Sequence, residues 1–211
     1  MTVKTFIFNP FHENTYLVYD ETSEAILIDA GCFNDNEKRY LSKFISNNNL
    51  KLKKVINTHL HIDHQFGNKY LYETYGLKPE ACKEDEFLLE NVKGQAAMFG
   101  LPLNESAQEI GSYIEDNQVI TFGNSTLKSL HCPGHSPGSM CFHNEKEGVL
   151  FAGDVLFQGS IGRTDLQKGD YATLINSITK RLLPLPDSTI VYCGHGDPTT
   201  IGDEKINNPY L

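Results

Sequence analysis

The sequence predicts a mixed α/β fold, and three observations carry that prediction. Short runs rich in β-branched and aromatic residues recur through the first third: Val3 to Phe8, Thr15 to Tyr19, Ala25 to Asp29 and Lys53 to Asn57. Between them, Tyr40, Leu41, Phe44 and Ile45 fall at helical spacing after the turn Asp29-Ala30-Gly31. Directly after the fourth strand comes Thr58-His59-Leu60-His61-Ile62-Asp63-His64, and the carboxyl end of a strand is where α/β folds place their sites.

Taken in order, the first strands are separated by polar turns around Glu13-Asn14 and Asp20-Glu21-Thr22, and Asn34 or Asp35 caps the helix that follows. Tyr70, Leu71 and Thr74 mark a second helix that ends at Gly76. From Glu84 to about Gly100 the residues favour helix, with Gly94, Gly100 and Pro102 as breaks before an acidic stretch running to Asp116. This 84–116 region reads as a helical excursion from one domain spanning 1–211. Strands return at Val119 to Phe122, Ser125 to Leu130, Ser139 to Phe142 and Gly148 to Ala152. Asp170 caps a helix carrying Leu174, Ile175, Ile178 and Leu182, stopped by Pro184. A last strand, Thr189 to Cys193, leads into Gly194-His195-Gly196.

Composition narrows the function. With 211 residues and 39% hydrophobic content, the chain can bury one sizeable core. A net charge of −9 argues against a partner recognised through nucleic-acid phosphates or an anionic membrane. The amino-terminal residues lack a signal-peptide pattern, and no apolar run approaches membrane-spanning length, so a soluble cytoplasmic protein is expected. Five cysteines without a C-x-x-C pair read as free thiols, with Cys132 and Cys193 as small packed residues rather than ligands.

Three imidazoles and a carboxylate within six residues point to a metal. Neutral imidazole and carboxylate suit zinc, iron or manganese. Two histidines at i and i+2 share a face only on extended backbone, whereas a helical zinc site uses i and i+4. Later turns deliver further candidates: His135 in Cys132-Pro133-Gly134-His135-Ser136-Pro137-Gly138, Asp154 in Phe151-Ala152-Gly153-Asp154, and His195 after Gly194. Glycine beside each candidate permits close backbone approach. His131 belongs to a strand end or to the surroundings of the ligands, and His12 and His143 are expected at the surface.

With these motifs in this order, the chain resembles the metallo-β-lactamase superfamily, and within it the short, single-domain bacterial form of the type II glyoxalases, the hydroxyacylglutathione hydrolases. The resemblance runs from Asn14-Thr15-Tyr16 to Asn208-Pro209-Tyr210-Leu211. It implies a four-layer αβ/βα sandwich and two divalent ions, zinc first with iron or manganese as alternatives. It also implies that His59, His61 and His135 hold one ion, that Asp63, His64 and His195 hold the other, and that Asp154 bridges them. The superfamily's true β-lactamases typically lack a histidine at the position of His64. Longer type II glyoxalases add a carboxyl-terminal helical segment and differ at Gly162-Arg163-Thr164-Asp165-Leu166, a run also similar to persulfide dioxygenases.

The implied reaction is hydrolysis of a glutathione thioester such as S-lactoylglutathione by a metal-bridging hydroxide, with Asp63 and Asp154 as the catalytic carboxylates. A thiol with pKa near 8.5 leaves readily, which suits a site without a dedicated acid. Arg163 can grip a substrate carboxylate or pair structurally with Asp165 or Asp154. Lys168 and Tyr171 read as surface and helix-start residues. The alternative is a glutathione persulfide dioxygenase with a single iron on His59, His135 and Asp154.

Overall fold

In the computed structural model, which describes residues 1–103 and 105–211, the strands of the first third pair in sequence order. The chain clusters into two units, Met1–Tyr113 with Phe122–Ser125, and Ile114–Thr121 with Thr126–Leu211. The first unit carries β1 (Thr2–Phe8), β2 (Glu13–Tyr19), β3 (Glu24–Ile28), β4 (Lys51–Ile56), β5 (Pro79–Ala81) and β6 (Ser112–Tyr113), ordered 1-2-3-4-5-6 in one sheet. β1 to β3 pair antiparallel and β3 to β6 parallel. A parallel pair needs a crossover, and helix α1 (Asp35–Asn47) supplies the one between β3 and β4.

Local chemistry explains where these elements begin and end. Asn34 caps α1 by accepting from the Asn36 and Glu37 amides, and the Glu37 carboxylate returns to the Asn34 amide, a complete capping box. Such a cap contributes about 1 kcal/mol. Helix α2 (Asn68–Tyr75) stops at Gly76, whose φ of 71° suits glycine. Leu41 and Ile45 of α1 and Leu71 of α2 pack with Leu17, Leu27 and Val55 of the sheet into one buried cluster.

Two expectations need correction here. Glu13 and Asn14 do not form a turn: they open β2 and are buried, and the chain reverses at residues 9–12, where Asn9 and His12 both adopt positive φ. Gly94 does not break the excursion either. Lys83–Leu89 is a 3-10 run, the break falls at residues 90–91, and Gly94 lies inside α3 (Val92–Met98), whose N-cap Asn91 accepts from the Gly94 amide. Asn104 of the excursion lies outside the described residues.

The second unit carries β7 (Val119–Phe122) and β8 (Ser125–His131) except for their facing ends at Phe122 and Ser125, with β9 (Met140–Asn144), β10 (Val149–Gly153), the short pair β11 (Leu156–Phe157) and β12 (Ser160–Ile161), β13 (Ile190–Cys193) and β14 (Thr199–Thr200). Its main sheet runs 14-13-10-9-8-7, with β10 and β13 parallel. Asp170 caps α4 (Tyr171–Ser177) as expected, and a π-helical turn, Ile178–Leu182, completes the element before Pro184. Leu174, Ile178 and Leu182 are fully buried against Leu150, Val191 and Cys193. Helix α5 (Ile201–Asn207) has no counterpart in the sequence reading, because it buries Ile201 but leaves Ile206 82% exposed and so shows no apolar stripe. Its one signal is the Thr200 cap on the Asp203 amide.

Candidate metal centre

The ligand-rich segment leaves β4 and runs as a loop through His61, itself extended at φ −61° and ψ 152°, into a 3-10 turn at Ile62–His64. The extended geometry that two histidines at i and i+2 require is present at His61. The rings converge: the His59 centroid lies 4.7 Å from that of His61 and 4.1 Å from that of His64. His59 and His64 are buried, and Asp63 Oδ2 stands 3.7 Å from His64 Nε2.

Because this segment has left the sheet, side chains must satisfy its backbone groups. Asp29 accepts from the Thr58 amide and from the Thr58 hydroxyl, both at 2.7 Å. Asn57 Nδ2 donates to the His64 carbonyl, Asn9 Nδ2 to the Asp63 carbonyl, and Gln65 Nε2 to the Leu60 carbonyl at 2.6 Å. Asp29 sits at φ 53°, a conformation that aspartate tolerates better than most residues, and this swings its carboxylate back over the loop.

The same contacts fix tautomers. His64 Nδ1 lies 3.0 Å from Asp29 Oδ2, an acceptor, so the proton belongs on Nδ1 and the Nε2 lone pair is left for a ligand. Thr58 Oγ1 donates to Asp29 and accepts from His59 Nδ1 at 3.0 Å, with the same result. Behind His64 the fully buried Glu13 joins Asp29, the three offering atoms within 4.8 Å of one another. Burial pushes the Glu13 carboxyl well above its usual range, against the pull of His64.

The second unit builds its group from strand ends. His135 Nδ1 donates to the Arg163 carbonyl at 2.8 Å, which again leaves Nε2 for a ligand. His135 Nε2 and His195 Nε2 each lie 3.6 Å from Asp154 Oδ2. These spacings exceed a hydrogen bond and approach the roughly 3.4 Å that separates two donors on one tetrahedral ion with 2.0–2.1 Å bonds. Donor chemistry, tautomer and spacing therefore fit a divalent metal in both groups.

Glycines let this region close up. A Cβ on Gly134, which has φ 135°, would fall 2.3 Å from the Leu174 backbone of α4, and one on Gly162 would fall 1.9 Å from the Asp154 carbonyl. A bulge between Phe151 and Gly153 shifts the β10–β13 register just before Asp154.

Other residues named from the sequence fall as follows. The Arg163 guanidinium donates to both Asp165 oxygens at 2.7 Å on an exposed surface, and this pairing holds the Asp165 carboxyl at about 2. His131 ends β8 with Nε2 2.8 Å from the Pro137 carbonyl, and His12 is exposed. His143 departs from expectation: it is buried on β9, an interior strand all five of whose residues are buried on either face. Cys132 and Cys193 are core residues, and burial pushes the Cys193 thiol up to about 12. Asp29, Asn57 and Gln65 are positioning groups that no sequence motif singles out; for Asp29 the one signal is a carboxylate ending the apolar run Ile26-Leu27-Ile28.

The family model described as the metallo-beta-lactamase superfamily matches residues 8–195. The chain belongs to that superfamily. Hydroxyacylglutathione hydrolase GloC of Haemophilus influenzae is 38% identical over 212 residues, covering 100% of this chain and 98% of the relative. Among solved structures, the BLEG-1 B3 metallo-β-lactamase has a TM-score of 0.88 at 35% identity, covering 100% of this chain and 99% of its own. TTHA1623 in a di-iron-bound form has a TM-score of 0.86 at 34% identity, with 100% of both chains covered. ETHE1 from Myxococcus xanthus has a TM-score of 0.79 at 27% identity, covering 99% of this chain and 84% of its own. The α/β sandwich class expected from the sequence is the fold of these superfamily members. Membership and the full-length likeness to GloC support a metal-dependent hydrolase, and the histidine and aspartate groups suit divalent ions. Among the described residues, no helix is long and apolar enough to cross a membrane.

Proposed function

We propose that the chain hydrolyses glutathione thioesters of 2-hydroxy acids, with S-lactoylglutathione as the type substrate, in the cytoplasm. The observation that carries this reading is the 38% identity to GloC over the full length of the chain. In this reading His59, His61 and His135 would hold one ion and Asp63, His64 and His195 a second, with Asp154 able to serve both. Zinc is the first choice on ligand type; the di-iron form of TTHA1623 makes iron the next. When bound, such ions lower the pKa of coordinated water toward neutrality and polarise a carbonyl.

The chain's own groups do the rest. Asp29, Thr58 and the Arg163 carbonyl keep three imidazoles in the tautomer that presents Nε2. Asp63 and Asp154 would halve the charge of two dications, and the centre would stay cationic toward an anionic substrate inside an acidic protein. Asp63 would also orient the nucleophilic hydroxide by accepting its hydrogen bond. The thiolate leaves without a general acid, since its conjugate acid has a pKa near 8.5. Arg163 serves as the cation for a substrate carboxylate by exchanging Asp165 for it, both partners being exposed.

The likeness to ETHE1 favours a second reading, a persulfide dioxygenase with one iron on His59, His135 and Asp154. One experiment separates them: metal analysis of purified protein alongside thiol release from S-lactoylglutathione under argon, with glutathione persulfide and a β-lactam as parallel substrates. Two metals and anaerobic thiol release support hydrolysis. One iron with oxygen consumed on the persulfide, or turnover of the β-lactam alone, overturns it.

A further inference from the structure

The residues between the ligands are as informative as the ligands. Leu60 and Ile62 are 0% and 4% exposed; Leu60 is seated between the end of β5 and the excursion, and Ile62 against the excursion. Leu60 packs with Ala81 and Leu88, flanked by Phe87, Leu89 and Ile110. Ile62 packs with Val92 and Ala96 of α3. The His59 and His61 rings lie 4.7 Å apart and Leu60 between them is anchored in its own apolar cluster, so fixing Leu60 fixes the segment from which both rings project.

One polar contact accompanies that packing. The Leu60 amide donates to Asp85 Oδ2 at 3.2 Å, and Asp85, in the 3-10 run Lys83–Leu89, is fully buried. The Leu60 carbonyl is taken by Gln65. Both backbone groups of the residue between His59 and His61 are thus held by side chains. Asp29, Asn57, Asn9 and Gln65 grip the loop from the sheet strands or from beside the loop itself; Asp85 grips it from the excursion. Burying a carboxyl group is costly unless hydrogen bonds compensate, so its place under the ligand segment calls for a role.

We infer that Asp85 is a positioning residue for metal binding: by holding the Leu60 amide from the excursion it sets the spacing of His59 and His61. The excursion is then a clamp on the ligand segment as well as a cover for one face. This inference rests on the metal reading proposed above.

The test measures Co(II) affinity of the full chain by visible absorption with chelator competition, beside the thermal midpoint of the metal-free protein. Asp85→Ala is expected to weaken Co(II) binding tenfold or more, within the range found when groups supporting metal ligands are removed. Asp85→Asn, which keeps an oxygen acceptor for the Leu60 amide, is expected to recover most of that loss. Leu182→Ala, in the core of the second unit, is expected to lower the midpoint while leaving the affinity within twofold of the parent. Should Asp85→Ala not fold, Asp85→Asn and Leu88→Ala carry the test, with intermediate weakening expected of each. Unchanged affinity in the Asp85 and Leu88 variants overturns the inference, as does equal weakening by Leu182→Ala at a matched loss of midpoint. Equal binding by the parent and His61→Ala removes the metal reading itself and this inference with it, an outcome distinct from failure of the Asp85 variants alone.

Discussion

The two units supply their candidate ligands in opposite ways. The first packs four into six residues, on a loop without strand partners whose backbone is gripped by a ring of side chains. The second spreads three over sixty residues, each just beyond a strand, with the main chain and close-packed glycines setting their positions. A dense motif tolerates distance from the sheet only because polar side chains replace the ladder. A sparse one depends on register.

The largest expected effect tests the sparse group. Asp154→Asn should remove both metals and abolish turnover, a loss of at least about a thousandfold in kcat/KM by the scale of metal catalysis. Elemental analysis with steady-state assays checks it, and full activity in the variant would rule out the bridging role. Next, Asp29→Asn probes the dense group. Asparagine accommodates the positive φ and still accepts from the Thr58 amide, but its NH2 cannot accept the His64 Nδ1 proton. Metal affinity should fall roughly 10- to 100-fold with the fold intact, measured by chelator competition and circular dichroism.

Smaller effects sharpen the contrast. Arg163→Ala should raise KM with kcat and thermal midpoint nearly unchanged, because His135 is held by the main-chain carbonyl of Arg163 and the guanidinium pairs with Asp165 at the surface. A drop in kcat alone would point away from substrate binding. The smallest concerns His143, whose buried Nε2 has no hydrogen-bond partner among the described residues. Burial lowers its pKa from 6.5, against the pull of Glu145 and with the push of Lys128. The folded state therefore binds this proton more weakly than the unfolded chain. Its contribution to stability is complete above pH 6.5 and declines as pH falls toward the lowered value. His143→Phe should flatten that acid limb in thermal melts across pH 5 to 8 and raise stability by about 1 kcal/mol.

What could be read from the sequence follows the same division. His59 to His64 declare themselves by density, and His135, Asp154 and His195 gain meaning only from their order after it. The long strands and α1 show clear periodicity or caps, whereas β5, β6, β11, β12 and β14 are two or three residues long, too short for any period to register. The positioning residues were the hardest to see. Asp29, Asp85, Asn57 and Gln65 act through backbone groups far along the chain or around a tight turn, and a contact between positions 60 and 85 leaves no local pattern. His143 was misplaced for a related reason: one polar residue in a strand covered on both sides looks like a surface position until its neighbours are known.

The irregularity in β10 has an engineering consequence. Removing Ala152 would tidy the ladder with β13 and yield a more regular sheet, yet it would turn the next carboxylate to the opposite side of the strand. In this strand, a regular ladder and the present aim of Asp154 are alternatives.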